Sequence, residues 1–474
     1  MTPLITFVHS SFQTFSVGSL ATFILRLAKR KAFQCHCFSS ACNHHHVTEF
    51  KPFKKALLLT KITKFDFERS LEQHTDDEQL RKALLLKGIN VDWLVKRHNA
   101  HYQKVAEFQR FLKQFPFIYF LRLRGLEVQL VDRSTYTNDA IAWADVVFTA
   151  GGDGTFLLGA SKIRHRNIPI IGLNTDPKYS VGFLCLPSWC TNNLPKTLDL
   201  VLSGTFNYFW RNRIRVSIYH NRDQPLKMGF LDKRKPGVGD GWLSAEHTDT
   251  FLSPPELIDM PLIPADVWNN ISCTVLPIVA LNEVFVGEAL SARVSHYEIC
   301  IDHRTSLRQK SSGVTIATGT GSTSWYRNIT ALSPETVAKI LRIASSVHSR
   351  GYRKGDEILQ QQFANVKFIG SSPSLTNQQE IEADPLDVLS SDEFAHAVAQ
   401  QFNASIQFDP TDSQMAFVVR DPVCNGSVQI RSLMLDAHLV FDGGCIFPFQ
   451  YGSVAEFSIH QSDALCCVSL LDPN

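Results

Sequence analysis

Residues 144–161 read ADVVFTAGGDGTFLLGAS, and this stretch decides the fold. A short apolar run ends at Ala150 and leads straight into glycines, which is typical of a buried strand followed by a tight turn. From Phe156 the pattern is that of the start of a helix, and a second apolar run follows at residues 168–173. Strand, loop, helix and strand in this order predict a βαβ unit and a parallel sheet.

The residues before this unit carry further elements. Residues 56–59 are a candidate for a buried strand, and residues 126–131 alternate like a strand. Residues 67–87 and 91–115 show apolar side chains near helical spacing, so each is predicted to form one helix.

The pattern changes after about residue 205. Residues 214–218 and 298–302 alternate, turn residues separate such runs, and helical periodicity is weak. We therefore expect an α/β N-terminal domain with a parallel sheet and a β-rich C-terminal domain. The expected limits are residues 54–205 for the first domain, 206–455 for the second with an insertion at 222–272, and 456–474 for a C-terminal strand.

Composition excludes several classes of protein. The length of 474 residues suggests two domains, and hydrophobic and charged fractions of 44% and 19% are those of a globular protein. A formal net charge of +2 argues against a nucleic-acid binder that relies on a broad basic surface. The 11 cysteines are scattered and do not form a disulfide framework, so buried free thiols are expected.

The N-terminal segment has the composition of an organelle transit peptide. Its first acidic residue is Glu49, and before it lie many Ser and Phe residues and a basic cluster at residues 26–31. A secretory signal is the alternative, but the charges follow the apolar stretch at residues 17–25 instead of preceding it. A membrane anchor fits less well, because polar residues interrupt that stretch and Arg26 ends it. We expect residues 1–48 to direct import into mitochondria, with the matrix as destination.

The glycine motif at residues 151–155 has the features of a phosphate site. Glycines let backbone N–H groups approach a phosphate, and the start of the following helix favours an anion. Asp153 could accept the proton of an attacking hydroxyl, as the base does in phosphoryl transfer. The alternative is a tight turn in which Asp153 caps the helix. No Gly-Lys dipeptide occurs, which excludes a Walker A loop.

Two further groups of residues could contact a nucleotide. Residues 313–325 run from an alternating strand into glycines and hydroxyl side chains, and Trp325 could cover a ring face, although a plain β-turn would look alike. The sequence predicts that Asn282 and Glu283 lie inside an apolar strand, where both need partners. Asn282 can pair with a base edge and Glu283 can accept from ribose hydroxyls; an internal hydrogen-bonded network is the alternative.

These motifs, in this order, resemble the NAD kinase family. The matches are the glycine motif at 151–154, Asn282 with Glu283, the loop at 318–325, and two short segments at 172–174 and 182–184. The resemblance covers about residues 54 to 330, extends more loosely to the C-terminal strands through residues 442–444, and is closest to the mitochondrial branch. It implies that Asp153 is the base acting on the adenosine 2′-hydroxyl. The nucleotide-binding residues that it implies are Gly152, Gly154, Thr155, Asn174, Asn282, Glu283, Thr320, Gly321, Ser322, Thr323 and Ser324.

The resemblance also implies the reaction and the assembly. A phosphoryl group would pass from ATP to NAD to give NADP, with Mg²⁺ bound through the donor phosphates and no metal ligands from the protein. A homodimer is expected, with no nucleic-acid or membrane partner. Three residues depart from the family pattern: Gly319 replaces Pro, Trp325 replaces Tyr, and Ser312 stands where many members carry Asp.

Two other functions fit parts of the sequence. Lipid kinases of the diacylglycerol or sphingosine type share the Gly-Gly-Asp-Gly-Thr loop, but they lack the paired Asn-Glu and Thr-Gly-Ser-Thr elements. A dinucleotide-binding regulator without catalysis is a second alternative. Ser312 favours it, whereas an intact Asp153 counts against it.

Overall fold

The computed structural model describes residues 52–72, 76–114, 126–164, 167–223, 262, 270–290, 293–302, 306–351, 391–418, 424–425, 428–434 and 436–470. The predicted transit peptide and most of the predicted insertion lie outside these residues. The chain forms two compact units, one of residues 51–331 with 402–474 and one that includes residues 332–401.

The described strands and helices are numbered in chain order. The strands are β1 (Lys55–Thr60), β2 (Glu127–Val131), β3 (Val146–Gly151), β4 (Ile170–Asn174), β5 (Asn207–Arg211), β6 (Ile214–Asn221), β7 (Ile271–Ala280), β8 (Glu283–Glu288), β9 (Ser295–Ile301), β10 (Leu307–Ser311), β11 (Val314–Ala317), β12 (Gln414–Val418), β13 (Cys424–Asn425), β14 (Val428–Ser432), β15 (Ala437–Phe441), β16 (Cys445–Phe449), β17 (Val454–Ile459) and β18 (Leu465–Ser469). The helices are α1 (Lys64–Glu72), α2 (Asp77–Leu86), α3 (Val91–Gln114), α4 (Asn138–Trp143), α5 (Asp153–Lys162), α6 (Ser188–Asn192), α7 (Leu194–Leu202), α8 (Trp325–Thr330), α9 (Pro334–Gly351) and α10 (Asp392–Ser405).

The first sheet has the strand order β2-β1-β3-β4-β18-β5, and only β5 runs antiparallel to its neighbour. Helices α3 and α7 cover one face through a core that includes Phe108 and Leu198, and α4 and α5 cover the other. Because both faces are buried at the centre of the sheet, β1, β3 and β4 are nearly continuous apolar runs. Gly151 lies level with Asn174, so β3 and β4 end at the same edge of the sheet.

Two six-stranded antiparallel sheets form the second part of the large unit. Their orders are β10-β9-β14-β17-β6-β7 and β13-β12-β11-β8-β15-β16. Alternate side chains of both sheets, such as Val216 and Val286, meet in one apolar core. The predicted fold class, a parallel α/β part followed by a β-rich part, is confirmed. The domain limits stay a prediction; β5, just after residue 205, belongs to the first sheet.

The helix predicted over residues 91–115 is confirmed as α3, but the single helix over residues 67–87 is wrong. Two helices, α1 and α2, occupy that stretch. Asp76 is the reason for the second start, because its side chain accepts from the amide of Glu78 and caps α2.

The smaller unit is described only at residues 332–351 and 391–401. Its two helical segments pack through Val337, Ala338, Ala395 and Ala399. Within the described parts of the whole chain, no helix is both long enough and apolar enough to span a membrane.

Candidate active site

Asp153 stands at the start of α5, directly after β3. Gly152 is the N-cap residue, so the alternative in which Asp153 caps the helix is wrong. The carboxylate of Asp153 accepts instead from two backbone amides of a neighbouring loop, Leu184 N to Oδ1 at 2.8 Å and Phe183 N to Oδ2 at 3.1 Å. Both oxygens are therefore fixed in place by backbone donors.

The glycines of the motif differ in what surrounds them. A Cβ atom on Gly151 would lie 2.1 Å from Oγ1 of Thr155, and one on Gly152 would lie 2.9 Å from Oγ of Ser180. Gly154 is exposed, with open space where its Cβ would be. Gly151 thus permits the tight turn, and Gly154 leaves the start of the helix open to an anion.

The loop that holds Asp153 is itself held by Asn174. Nδ2 of Asn174 donates to the carbonyl of Ser180 at 2.8 Å, and its Oδ1 accepts from Asp176 N at 3.0 Å. Gly182 has φ of +70°, and a Cβ there would lie 2.6 Å from Nδ2 of Asn174. The Asn174 side chain therefore organises the loop, and its contact with a nucleotide stays a prediction.

Arg97 of α3 contacts the same loop through Asp176 and Tyr179. Its guanidinium is paired with the carboxylate of Asp176 and lies over the rings of Trp93 and Tyr179, at 4.6 and 4.8 Å from their centroids. Sequence reasoning missed this arrangement. The four-residue spacing of Trp93 and Arg97 on one helix face was available, but their partners on the loop lie about 80 residues further along the chain.

The single strand predicted around Asn282 and Glu283 is wrong, because the chain turns there. Asn282 lies in the turn between β7 and β8, Glu283 closes that turn as the first residue of β8, and both are buried. Nδ2 of Asn282 reaches Oγ of Ser324 at 3.4 Å. In the described part of the chain, Oδ1 of Asn282 and Oε2 of Glu283 have no hydrogen-bond partner. Such buried atoms are costly unless a ligand pairs with them.

The carboxylate of Asp442, the residue that follows β15, binds the backbone of this turn. It accepts from the amides of Leu281, Asn282 and Glu283 at 2.9, 2.7 and 3.1 Å. Burial raises the pKa of Asp442 to about 6, although its three amide donors oppose the rise. Burial, with Asp442 beside it, raises the pKa of Glu283 to about 8. Sequence analysis included Asp442 only in the loose C-terminal part of the resemblance and gave it no role in the site, since Asp-Gly-Gly is typical of a turn.

The loop at residues 318–325 packs tightly against the same turn. A Cβ on Gly321 would lie 2.1 Å from the carbonyl oxygen of Asn282. A Cβ on Gly319 would lie 2.0 Å from the carbonyl oxygen of Asp409, so this position excludes the proline of the family pattern. Trp325 is 43% exposed, and its ring lies 5.3 Å from that of Phe285.

Most hydroxyl groups of this loop bond within the protein. Ser322 Oγ donates to the carbonyl of Gly319 at 2.6 Å, and Thr323 Oγ1 donates to that of Thr320 at 3.0 Å. Thr320 Oγ1 accepts from Nη1 of Arg211 at 3.3 Å. The predicted contacts of these residues with a nucleotide remain predictions.

The turn between β7 and β8 and helix α5 pack against the same apolar cluster. Leu281, directly before Asn282, is buried in the cluster that also contains Phe156 and Leu158 of α5. Arg213 adds a polar link, donating to the carbonyls of Ala160 and Ile163 near the end of α5. No three His, Cys, Asp or Glu side chains of the described residues are grouped as metal ligands.

Comparisons with known proteins agree on one family. The family model for the ATP-NAD kinase N-terminal domain matches residues 94–206. The chain is 32% identical to "NAD kinase 2, mitochondrial" of Homo sapiens over 435 residues, which are 89% of this chain and 85% of that protein. It is 30% identical to the protein of the same name from Xenopus tropicalis, over 89% of this chain and 92% of that protein. An NAD kinase of Methanothermobacter thermautotrophicus is 27% identical over 38% of this chain and 43% of its own length.

Proposed function

The chain belongs to the NAD kinase family, and from this premise we propose that it transfers a phosphoryl group from ATP to the adenosine 2′-hydroxyl of NAD, giving NADP. The observation that carries the proposal is the pair of buried oxygens at Asn282 and Glu283 that have no hydrogen-bond partner among the described residues. Each such atom costs about 1–3 kcal/mol while it has no partner. A nucleoside offers both a base edge and ribose hydroxyls as partners. The relatives favour neither a lipid kinase nor a silent regulator.

Asp153 is the proposed base. A carboxylate has about four lone-pair positions, and the amides of Phe183 and Leu184 occupy two of them. The remaining positions can receive the proton of the 2′-hydroxyl as its oxygen attacks the donor phosphate. The fixed carboxylate loses little freedom on reaction, which favours proton transfer.

The donor side of the site is proposed at the start of α5. The phosphates of ATP would lie against Gly152, Gly154 and Thr155, where the helix terminus favours negative charge. We also propose that Mg²⁺ is bound through the donor phosphates, as it is in kinases generally. Both oxygens of Asp153 already accept hydrogen bonds, which fits a base better than a metal ligand.

The decisive experiment is to measure NADP formation from NAD and ATP-Mg²⁺ by the purified protein and by Asp153→Asn. Asn keeps the shape of the side chain but cannot take a proton, so kcat should fall by roughly 10²- to 10⁴-fold. Circular dichroism checks that the variant is folded. Activity equal to the wild type would remove Asp153 from the mechanism, and a folded wild-type protein without activity would contradict the proposed function.

We propose the mitochondrial matrix as the location, with residues 1–48 as a transit peptide that is removed. The names of the mammalian and frog relatives and the composition of the segment support this. Protease protection in isolated mitochondria, before and after the inner membrane is opened, tests it. A homodimer is proposed on the family resemblance alone, and light scattering of the purified protein decides it.

A further inference from the structure

The turn of Asn282 and Glu283 is held by a residue that lies about 160 positions away. One oxygen of Asp442 accepts from the amides of Asn282 and Glu283, and the other accepts from that of Leu281. The amide of Asp442 in turn donates to the carbonyl of Glu283 at 3.0 Å. A single side chain thus pairs three consecutive amides of the turn.

The carbonyl side of the turn is held by Thr318. Its Oγ1 donates to the carbonyl of Leu281 at 2.5 Å, and its amide donates to that of Asn282 at 2.9 Å. The peptide groups of the turn are therefore fixed from both sides. The side chains of Asn282 and Glu283 extend from this rigid backbone, and each has one oxygen without a hydrogen-bond partner in the part of the chain that the structure describes.

Asp442 also has an unusual backbone. Its φ is +47°, Gly443 follows with +66°, and the amide of Gly444 donates to the carbonyl of Phe441. These two residues form the hairpin turn between β15 and β16, where Asp-Gly, Asn-Gly and Gly-Gly are all suitable. The hairpin alone therefore explains an Asp, Asn or Gly at this position. It does not explain a carboxylate that reaches into a different turn.

We propose that Asp442 is a positioning residue for the dinucleotide: its carboxylate sets the direction in which Asn282 and Glu283 present their free oxygens to the adenosine side of NAD. The inference rests on the proposed function, because it is there that these two residues contact NAD. Asp442 touches neither substrate and acts through the three amides. Its loss should weaken binding of NAD and leave the phosphoryl-transfer chemistry at Asp153 intact.

Two substitutions separate this role from the hairpin. Asp442→Gly and Asp442→Asn both suit the left-handed backbone, but Gly removes all the acceptors and Asn removes the charge and one acceptor. Asp302 is the matched control, because it too is a partly buried Asp with φ of +48°, at the end of β9 in a different sheet. In Asp442→Gly the KM for NAD should rise about 10- to 100-fold, with a smaller rise in Asp442→Asn. The kcat, the KM for ATP and the Asp302→Gly protein should change little.

A pH profile tests the charge of Asp442 directly. Its carboxylate contributes to the raised pKa of Glu283, so Asp442→Asn should lower that pKa. The limb of kcat/KM for NAD that reports Glu283 should then move to lower pH, and it should be absent in Glu283→Gln. A limb that stays in place in Asp442→Asn would contradict the inference.

Hydrogen exchange tests whether Asp442 holds the turn, without any measurement of turnover. In Asp442→Gly the amides of residues 281–283 should exchange at least about 10-fold faster, while those of the hairpin at 442–444 and of β7 should keep their rates. Unchanged exchange at 281–283, or an unchanged KM for NAD, would overturn the inference. If the wild type formed no NADP, the proposed function would fail, whereas the exchange measurement would still decide whether Asp442 holds the turn.

Discussion

The pKa of Glu283 depends strongly on the surroundings of its side chain. Its side chain is buried at the start of β8, one carboxyl oxygen has no partner among the described residues, and Asp442 lies beside it. Removing a carboxylate from water disfavours its charged form, and a neighbouring carboxylate does the same. Both effects raise the pKa of Glu283, to about 8. The residue is therefore able to change its charge near physiological pH.

This position makes the stability of the nucleotide-free protein depend on pH. The unfolded chain releases the proton of Glu283 near pH ~4.3, whereas the folded protein keeps it until about pH 8. The contribution to stability is complete below pH ~4.3, is lost at up to ~1.4 kcal/mol per pH unit as pH rises from there to about 8, and changes little above that. Urea unfolding between about pH 5 and 8 measures it. Glu283→Gln should flatten this decline, and the exposed Glu127→Gln should not. Equal slopes in the wild type and Glu283→Gln would contradict the assignment.

At the residue scale, the sequence shows which side chains are unusual but not how they are arranged in space. Asn282 and Glu283 stood out as polar residues in an apolar stretch, but that stretch read as one strand because no Gly or Pro marks a turn. Asp442 fixes the turn through contacts that are distant in the chain. No local pattern of residues 280–284 contains that information.

At the scale of elements, the loop between β4 and α6 connects helix α3 to Asp153. Its far end supplies the two amides that bind the carboxylate of Asp153, and its near end carries Asp176, which pairs with Arg97. The rings of Trp93 and Tyr179 enclose the guanidinium. A change at α3 should therefore reach the proposed base through the loop.

Breaking the pair of Arg97 and Asp176 should lower kcat. In Arg97→Ala and Asp176→Ala the loop is less well fixed, and a misplaced base costs about 10-fold or more in rate. Because both side chains are partly exposed, their coupling in a double-mutant cycle of unfolding should be only about 1 kcal/mol. The exposed pair of Arg69 and Asp77 is the control and should show neither effect. A wild-type kcat in Arg97→Ala would separate this contact from catalysis.

Periodicity predicted the helices well where one pattern ran without interruption, as in α3. It failed at residues 67–87, where the apolar spacing continued across the break and only the cap at Asp76 marks a new helix. The pairing of Arg97 with the loop was beyond such reasoning, because periodicity reports which face is buried and not what covers it.

For the large unit as a whole, the first sheet is completed by the last described strand of the chain. Strand β18 lies between β4 and β5, and Leu465, Cys466, Cys467 and Val468 are all buried there. Arg213, between β5 and β6, donates to the carbonyl of Asp463 and to the end of α5. The sequence predicted a C-terminal strand, but long-range pairing left no local signal of which sheet it joins. The α/β part is thus not a self-contained N-terminal half.

This topology predicts a sharp effect of truncation. Without residues 465–474, β5 loses its partner, and four buried side chains worth on the order of 8 kcal/mol are lost, which is comparable with the whole stability of a domain. That protein should be insoluble or lack a cooperative thermal transition, although the glycine motif lies about 300 residues earlier. A chain ending at Leu470 keeps β18 and should melt like the full chain, which makes it the matched control. A cooperative transition and normal activity in the shorter protein would show that the first sheet folds without β18.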